Sequence, residues 1–386
     1  MAKYSILLLI LAALSLIALG ITMLASTTFQ VAQEGGEDYV TVWRQLGWLG
    51  AATVLCVIMA VVDYNVWMRW RWHLLIAAAV LLALCYLPMI GVKINGSKRW
   101  IGLQALGVTG FRVQPSEFAK IALIIALAGW FGTHQELTRT FWRGFVMPGL
   151  ILLGIVALIG CEFDLGSALL ASAVGLGVMF VAGTKMRYLA IIVVLCGGGL
   201  VAGIKFLPNR FERIMVTFDL EKHKEDLGMQ QYVSKLAFGC GGMEGRGPGE
   251  GRMKRSYLPE AHTDFIFPMV GEELGLRGTA AVVLAFAVLV MAGMVVSSYA
   301  PNRFGKLLGA GLTFLLGMEA LLNMGVTTAL LPNKGLPLPF VSYGGSSLVA
   351  AMVAVGILIN IHRQGVHLTW DQLPVIRRKR RWTPQL

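Results

Sequence analysis

The stretch of this chain best suited to chemistry is a polar segment, Tyr257–Gly278, that leads into an apolar run. Its titratable members include four acids and a histidine: Glu260, His262, Asp264, Glu272 and Glu273. Placing a carboxylate at the edge of a bilayer costs free energy, so a carboxylate found there is first considered as part of a functional site. Such a group can take a proton from an attacking hydroxyl. We therefore predict that Asp264 is the principal candidate for chemistry.

A helix cap is the structural alternative for Asp264. An aspartate directly before Phe265-Ile-Phe267 fits the start signal of a helix. However, Thr263 could cap equally well, and the surrounding polar cluster is larger than capping needs, which favours a functional Asp264. We expect His262, by contrast, to be a hydrogen-bonded structural residue rather than a base.

A second group of candidates is cationic and lies between the third and fourth predicted spans. Lys93, Lys98, Arg99 and Arg112 fall on the outer side in the topology given below. This placement opposes the usual bias of cations to the inner side, so we expect these residues to serve a site. They could neutralise phosphate, and a divalent cation could assist a leaving pyrophosphate. The pattern indicates a lipid-linked substrate with a phosphate head group.

Four further polar residues lie within or beside predicted spans. Glu117 and Lys120 are three residues apart and are predicted to pair, either to hold the fold or to present charge to a cavity. Asp164, at a tight turn, is predicted to cap a helix, with a counter-ion to Lys120 as the alternative. Glu319 is predicted to be either a buried group that faces the bundle or a proton-coupled transport site.

The elements that position these residues are membrane helices. The chain has 386 residues, of which 56% are hydrophobic and only 14% charged, and its apolar runs of about 20 residues fit the thickness of a bilayer. The net charge of +12 is spread over short loops and a tail, as in proteins whose cations orient their helices. Because no nucleic-acid motif accompanies this charge, nucleic acid is not an expected partner.

The apolar runs predict an all-α polytopic membrane protein, residues 1–386, with about ten transmembrane helices and both termini cytoplasmic. The predicted spans cover residues 5–26, 45–62, 73–89, 115–130, 145–160, 165–182, 188–204, 264–296 and 307–331, with a tenth after residue 347. A large extracytoplasmic loop, residues 205–264, joins helices 7 and 8. We expect its Gly-rich section, Gly239–Gly251, to be irregular and mobile. A basic cytoplasmic tail, residues 364–386, is expected to meet anionic lipids.

Four motifs in sequence order resemble those of the SEDS family of bacterial membrane proteins (shape, elongation, division and sporulation). They are Asn95–Leu103, Gln114–Lys120, Pro259–Phe267 and Gly335–Ser347. The resemblance spans nearly the whole chain. It implies a ten-helix peptidoglycan glycosyltransferase that polymerises lipid II at the outer face of the cytoplasmic membrane. It also implies a class B penicillin-binding protein as a transpeptidase partner that crosslinks the strands.

Site residues follow from the same resemblance. Asp264 corresponds to the family's essential acid, the general base for the acceptor sugar hydroxyl, while Glu117, Lys120 and Asp164 line or support a central cavity. The remaining predicted substrate-binding or cavity positions are Lys98, Arg99, Gln114, Ser116, His262, Lys334, Ser342 and Tyr343. No tightly bound cofactor is expected, and Mg²⁺ or Mn²⁺ is the candidate divalent cation.

Three stretches look more like the division branch of the family than the elongation branch: Leu258–Asp264, Gly271–Gly275 and Lys334–Phe340. This likeness implies a septal location and divisome partners. Three departures from the family pattern are Phe163, Pro268 and Glu319, and Pro268 is expected to kink the start of its helix and shift Asp264.

Two other classes of function remain open from the sequence. A transporter that flips the same lipid would use Lys120 and Glu319 in a central cavity, whereas a scaffold would not need Asp264. Because a flippase needs a polar path through both leaflets, the clustering of polar residues on the outer half favours the enzyme.

Overall fold

The structure is a computed structural model of a helical bundle with a small sheet at one end. It describes residues 2–33, 39–87, 91–94, 97–102, 112–162, 164–194, 198, 216, 219–224, 226, 228–253 and 262–371. The helices, in chain order, are α1 (Ala2–Gln33), α2 (Tyr39–Val61), α3 (Asn65–Leu84), α4 (Pro115–Thr133), α5 (Met147–Cys161), α6 (Leu165–Ala182), α7 (Met229–Gly241), α8 (Ile266–Ser298), α9 (Arg303–Thr327) and α10 (Gly345–Asp371). A short 3₁₀ helix, Gln135–Leu137, and a π-helical turn, Trp142–Val146, lie between α4 and α5.

Within the described ranges, nine helices are long and apolar enough to cross a membrane. They correspond to nine of the ten predicted spans, and the all-α polytopic prediction is confirmed. The seventh predicted span, residues 188–204, begins in a helical segment at 186–194, and most of its remainder lies outside the described residues. Apolar side chains on the outside of the bundle, such as Val54, Ile76 and Leu284, are 60–63% exposed, as expected for surfaces that face lipid.

The start of α3 differs from the prediction. The predicted spans at residues 45–62 and 73–89 leave residues 63–72 as a loop, but α3 already begins at Asn65. Arg and Trp side chains can extend from a helix toward the membrane interface, so Arg69, Arg71 and Trp72 do not delay the helix start.

Local signals set several helix ends. Pro115 occupies the first turn of α4, where a missing N–H costs nothing. Gly183 ends α6 in the left-handed conformation with φ 95°. The side chain of Asn302 caps α9 by accepting a 2.8 Å hydrogen bond from the Gly305 N–H. Among the spans, α4, α9 and α10 are the most buried, and they form the centre of the bundle.

A three-stranded antiparallel sheet, which the sequence analysis did not predict, precedes α4. Its strands are β1 (Gly91–Ile94), β2 (Ser97–Gly102) and β3 (Arg112–Val113), in the order β1-β2-β3. Val92 pairs with Trp100, and Ile101 pairs with Val113. Because β3 ends at Val113 and α4 begins at Pro115, only Gln114 separates the sheet from this helix.

The helix α8 is interrupted at Gly275, which has φ 66° and ψ −162°. A side chain there would be strained by the positive φ, and its Cβ would approach the backbone nitrogen of Gly245 to 2.4 Å. Pro268 lies in the first turn of α8, where backbone N–H groups have no intrahelical acceptor. The predicted kink at Pro268 is therefore wrong, and the break occurs at Gly275 instead.

The Gly-rich section Gly239–Gly251 is irregular after Gly241, as predicted, but its backbone is anchored on α8. The Gly247 N–H donates to the Glu273 carbonyl at 3.0 Å, and the Gly249 N–H donates to the Glu273 carboxylate at 2.9 Å. Just beyond the section, the Arg252 N–H donates to the Glu272 carboxylate at 2.7 Å. These acids are therefore partners of the loop backbone, a role that the sequence analysis did not assign to them.

A separate polar group lies at the opposite end of the bundle, where α2 meets the later part of α10. Asn360, which is fully buried, donates from Nδ2 to the Ala60 carbonyl at 2.8 Å and accepts from the Tyr64 N–H at 3.1 Å. The Gln364 amide donates to the Asp63 carboxylate at 2.8 Å. These contacts join α10 to the turn between α2 and α3.

Candidate functional site

Asp264 is held through its main chain at the point where α8 begins. Its carbonyl accepts a 2.8 Å hydrogen bond from Asn323 Nδ2, and Asn323 also donates to the Leu336 carbonyl at 2.6 Å. The Asp264 side chain is half-buried and lies against Gly335, where a Cβ would come within 2.5 Å of Asp264 Oδ2. The carboxylate therefore borders the Pro-rich break, residues 332–344, between α9 and α10.

The two residues before Asp264 are fixed in the same way. The His262 carbonyl accepts from the Tyr343 N–H at 2.9 Å, and the Thr263 carbonyl accepts from Ser342 Oγ at 2.6 Å. Ser342 Oγ also accepts from the Leu338 N–H at 2.8 Å. The His262 and Tyr343 rings lie 5.7 Å apart. The structure thus brings His262, Ser342 and Tyr343 together with Asp264, while the structural role expected of the His262 side chain stays a prediction.

The alternative that Asp264 or Thr263 caps α8 is wrong. Phe265, and not Thr263 or Asp264, occupies the N-cap position of α8, and the Phe265 side chain makes no capping hydrogen bond. Lys334 directly precedes Gly335, is half-buried, and accepts a 2.9 Å hydrogen bond from the Leu336 N–H through its carbonyl. The Pro-rich break therefore runs alongside the Asp264 segment.

Asp164, in contrast, uses its carboxylate for capping. Its Oδ1 accepts from the Ser167 N–H at 3.0 Å, and its Oδ2 accepts from Ser167 Oγ at 2.8 Å and from Gln114 Nε2 at 3.2 Å. Gln114 Nε2 also donates to Ser116 Oγ at 3.1 Å. The predicted N-cap is confirmed, and the ion partners of Lys120 lie elsewhere.

Gly335 and Leu336 connect the surroundings of the two aspartates. A Cβ on Gly166, at the start of α6, would lie 3.3 Å from the Leu336 side chain and 3.6 Å from Asp164 Oδ1. The same short segment therefore touches Asp264 on one side and the Asp164 turn on the other. The starts of α4, α6 and α8, with α9 and the Pro-rich break, surround one polar site.

Lys120 lies in a buried ion cluster next to this site. Its Nζ is 2.9 Å from Glu117 Oε1 and 2.7 Å from Glu319 Oε1. All three side chains are at most 4% exposed. The predicted pairing of Glu117 with Lys120 is confirmed, and Glu319 faces the bundle as the second partner. The cluster joins α4 to α9.

Glu162 is a member of the site that the sequence analysis missed. It is 1% exposed, and neither carboxylate oxygen has a hydrogen-bond partner in the part of the chain that the structure describes. Burial raises its pKa to about 7, with a further increase from the negative charge of Asp164, whereas Cys85 and Arg99 act in the opposite direction. Cys85 therefore lies near Glu162 without a hydrogen bond of ordinary geometry. The turn Cys161–Asp164 was the available sequence signal.

The predicted cations are only partly described. Arg99, on β2, is half-buried, and its Nε has no hydrogen-bond partner among the described residues. The backbone of Lys98 belongs to β2, but its side chain and the whole of Phe163 lie outside the described residues. Among the described residues, no group of three His, Cys, Asp or Glu side chains could hold a metal ion. The divalent cation stays a prediction.

These features define a class: a polytopic helical membrane protein with a polar site at one end of its bundle. Comparison with known proteins identifies the family. A sequence model of the cell cycle proteins FtsW, RodA and SpoVE matches residues 6–367. The chain belongs to this family, which confirms the resemblance based on its motifs.

Individual relatives are similar over nearly their full length. The chain is 40% identical to a probable peptidoglycan glycosyltransferase FtsW of Geobacter metallireducens, with 92% of this chain and 94% of the relative covered. It is 34% identical to stage V sporulation protein E of Bacillus subtilis, with 92% and 96% covered.

Two solved structures share the fold. RodA of Thermus thermophilus is 26% identical, with a TM-score of 0.67 and coverage of 92% of this chain and 96% of that one. A chain from a structure described as "Structural coordination of polymerization and crosslinking by a peptidoglycan synthase complex" is also 26% identical, with a TM-score of 0.76 and coverage of 92% and 97%.

Proposed function

We propose that this protein is a peptidoglycan glycosyltransferase that polymerises lipid II into glycan strands at the outer face of the bacterial cytoplasmic membrane. The observation that carries the proposal is the placement of Asp264. Its main chain is bonded to Asn323, and its half-buried carboxylate borders the Pro-rich break. The relatives named as probable peptidoglycan glycosyltransferases support the reaction class.

In the proposed reaction, Asp264 acts as the general base. It takes the proton from the acceptor sugar hydroxyl while that oxygen attacks the anomeric carbon of a second lipid-linked sugar. The new carbon–oxygen bond forms as the bond to undecaprenyl pyrophosphate breaks, and the pyrophosphate leaves with the electron pair. Each step lengthens the glycan by one disaccharide.

The surrounding charges have separate tasks in this proposal. Arg99 would attract the pyrophosphate, because its half-buried guanidinium retains an Nε–H that bonds no described residue. Lys120 would support the cavity wall, since Glu117 and Glu319 already flank its ammonium group. Mg²⁺ or Mn²⁺ would assist the leaving group if the reaction proves to require a divalent cation.

We also propose that the protein works at the division septum with a class B penicillin-binding protein and other divisome proteins. The FtsW relatives support the division role. The likeness to a chain of a peptidoglycan synthase complex supports a transpeptidase partner. A role in cell elongation, as the name RodA suggests for the other neighbour, is the competing assignment.

The test is polymerisation of purified lipid II by the full-length protein in liposomes. Wild type is compared with Asp264→Asn, with and without the cognate transpeptidase and with Mg²⁺, Mn²⁺ or a chelator. Asp63→Asn is the matched control, because Asp63 also precedes a helix and accepts hydrogen bonds at the opposite end of the bundle.

We expect polymer from wild type and Asp63→Asn, and a rate about 10³-fold lower from a folded Asp264→Asn. A rate for Asp264→Asn close to that of wild type would remove Asp264 from the chemistry. If no condition gives polymer but labelled lipid II moves between leaflets, the flippase alternative would replace the enzyme.

A further inference from the structure

We propose that Asn323 is a positioning residue that places Asp264 for proton transfer. The proposal rests on the proposed function, because it assigns to Asn323 a role in the reaction that Asp264 would carry out. Asn323 is 1% exposed, so it acts through Asp264 and does not itself touch the substrate.

One side-chain amide joins two separate parts of the site. Asn323 Nδ2 donates one hydrogen to the Asp264 carbonyl at 2.8 Å and the other to the Leu336 carbonyl at 2.6 Å. These acceptors belong to the segment before α8 and to the Pro-rich break. Since Gly335 borders the Asp264 carboxylate, Asn323 determines the separation between Asp264 and the backbone that its carboxylate faces.

The side-chain amide of Asn323 has satisfied donors but an unsatisfied acceptor. Asn323 Oδ1 is buried and has no hydrogen-bond partner in the described ranges. A buried acceptor without a partner is destabilising, and an apolar side chain of similar shape would avoid that cost. The two donated hydrogen bonds are therefore the contribution of this residue, and both of them shape the surroundings of Asp264.

The helix that carries Asn323 is itself anchored. Glu319 lies one turn earlier on α9 and contacts Lys120 of α4 at 2.7 Å. Residues four apart on a helix lie on the same face. The buried ion cluster thus supports the face of α9 from which Asn323 reaches Asp264. A positioning residue is effective only when its own support is rigid.

A general contribution to folding is the competing explanation, and the chain contains a matched control for it. Asn360 of α10 is also a fully buried asparagine, and its Nδ2 also donates to a backbone carbonyl of another helix, that of Ala60 at 2.8 Å. It lies at the opposite end of the bundle. Replacing either asparagine removes two hydrogen bonds to the backbone, but of the two residues only Asn323 contacts the Asp264 segment.

The experiment compares wild type, Asn323→Leu, Asn323→Gln and Asn360→Leu in the lipid II polymerisation assay, with the Tm of each variant measured alongside. We expect Asn323→Leu to lower kcat about 100-fold with KM changed less than about threefold, the pattern of a misplaced catalytic group. Asn323→Gln, which keeps the donor, should recover part of kcat. Asn360→Leu should lower Tm by a similar amount but leave kcat within about threefold of wild type.

Amide hydrogen exchange supplies a readout that does not depend on activity. Asn323→Leu should speed exchange in residues 335–343, which include the Leu338 and Tyr343 amides, and Asn360→Leu should not. Equal kcat in Asn323→Leu and wild type, equal losses of kcat in Asn323→Leu and Asn360→Leu, or unchanged exchange in residues 335–343 would each overturn the inference. Failure of the proposed function is distinct, since wild type would then make no Asp264-dependent polymer.

Discussion

Asp164 and Asp264 lie beside the same Gly335–Leu336 segment but differ in burial and in the backbone that surrounds them. The Asp164 carboxylate is buried and accepts hydrogen bonds from Ser167 and Gln114. The backbone carbonyls of Asp264 and Thr263 accept hydrogen bonds from Asn323 and Ser342, and the Asp264 side chain is half-buried. The Asp164 carboxylate is thus committed to a helix cap, whereas the backbone before α8 is itself anchored by side chains of α9 and of the Pro-rich break.

The largest expected loss of activity comes from substitution of Asp264 and distinguishes it from Asp164. Asp264→Asn removes the proposed base, so we expect kcat to fall about 10³-fold with little change in Tm. Asp164→Asn keeps a side chain that can still cap a helix, so we expect a lower Tm and a loss of kcat below about tenfold. Lipid II polymerisation and thermal unfolding of the two variants check this. A larger loss of kcat in Asp164→Asn than in Asp264→Asn would reverse the assignment.

The second prediction is a pH-dependent change in stability at Glu162, the other acid of the turn that contains Asp164. Its pKa is raised from the ordinary value of 4.5 to about 7, so its protonated form is favoured in the folded state. In the unfolded chain the same carboxyl group ionises at lower pH. The free energy of unfolding therefore falls as pH rises from about 4.5 to about 7 and stays at the lower value above that. Glu162→Gln should therefore stabilise the protein by up to about 3 kcal/mol at pH 8 and by almost nothing at pH 4.

Thermal unfolding of wild type and Glu162→Gln at pH 4 and pH 8 measures the difference. Cys85→Ser is a control for the nearby thiol, which affects the same pKa. A Glu162→Gln variant that is less stable than wild type at pH 8 would show that the ionised carboxylate has a partner in the folded protein.

The smallest effect tests the close approach of Gly335 to Asp264. In Gly335→Ala, the new Cβ would meet the movable end of the Asp264 side chain at 2.5 Å, so the carboxylate should shift while the fold is kept. We expect kcat to fall about tenfold, roughly 1.4 kcal/mol, with Tm nearly unchanged.

Gly344→Ala is the matched control for Gly335→Ala. Gly344 lies in the same Pro-rich break, and its Cβ would make only an ordinary 3.9 Å contact with Ser347 in the first turn of α10. Equal activity of the two variants would mean that the position of the Asp264 carboxylate tolerates the extra methyl group.

Much of this architecture depends on local features that a sequence displays. An apolar run long enough for a bilayer predicts a span because each helix satisfies its own backbone hydrogen bonds. The pairing of Glu117 with Lys120 and the cap formed by Asp164 were predictable for a similar reason, since each contact joins residues three apart on one helix or at its start. Motif similarity identified Asp264 and the family.

The tertiary structure decided which distant residues meet. Glu319 reaches Lys120, and Asn323 reaches both Asp264 and Leu336, because α4, the segment before α8 and the Pro-rich break all pack against α9. No periodicity within α9 reveals those partners. The break at Gly275 follows likewise from the Gly-rich section packed against α8, since the φ of 66° is needed where the Gly245 backbone passes closest. The sequence by itself thus determined the family, the approximate positions of nine spans and the candidate acid, while long-range packing determined how the backbone of the Asp264 segment is held.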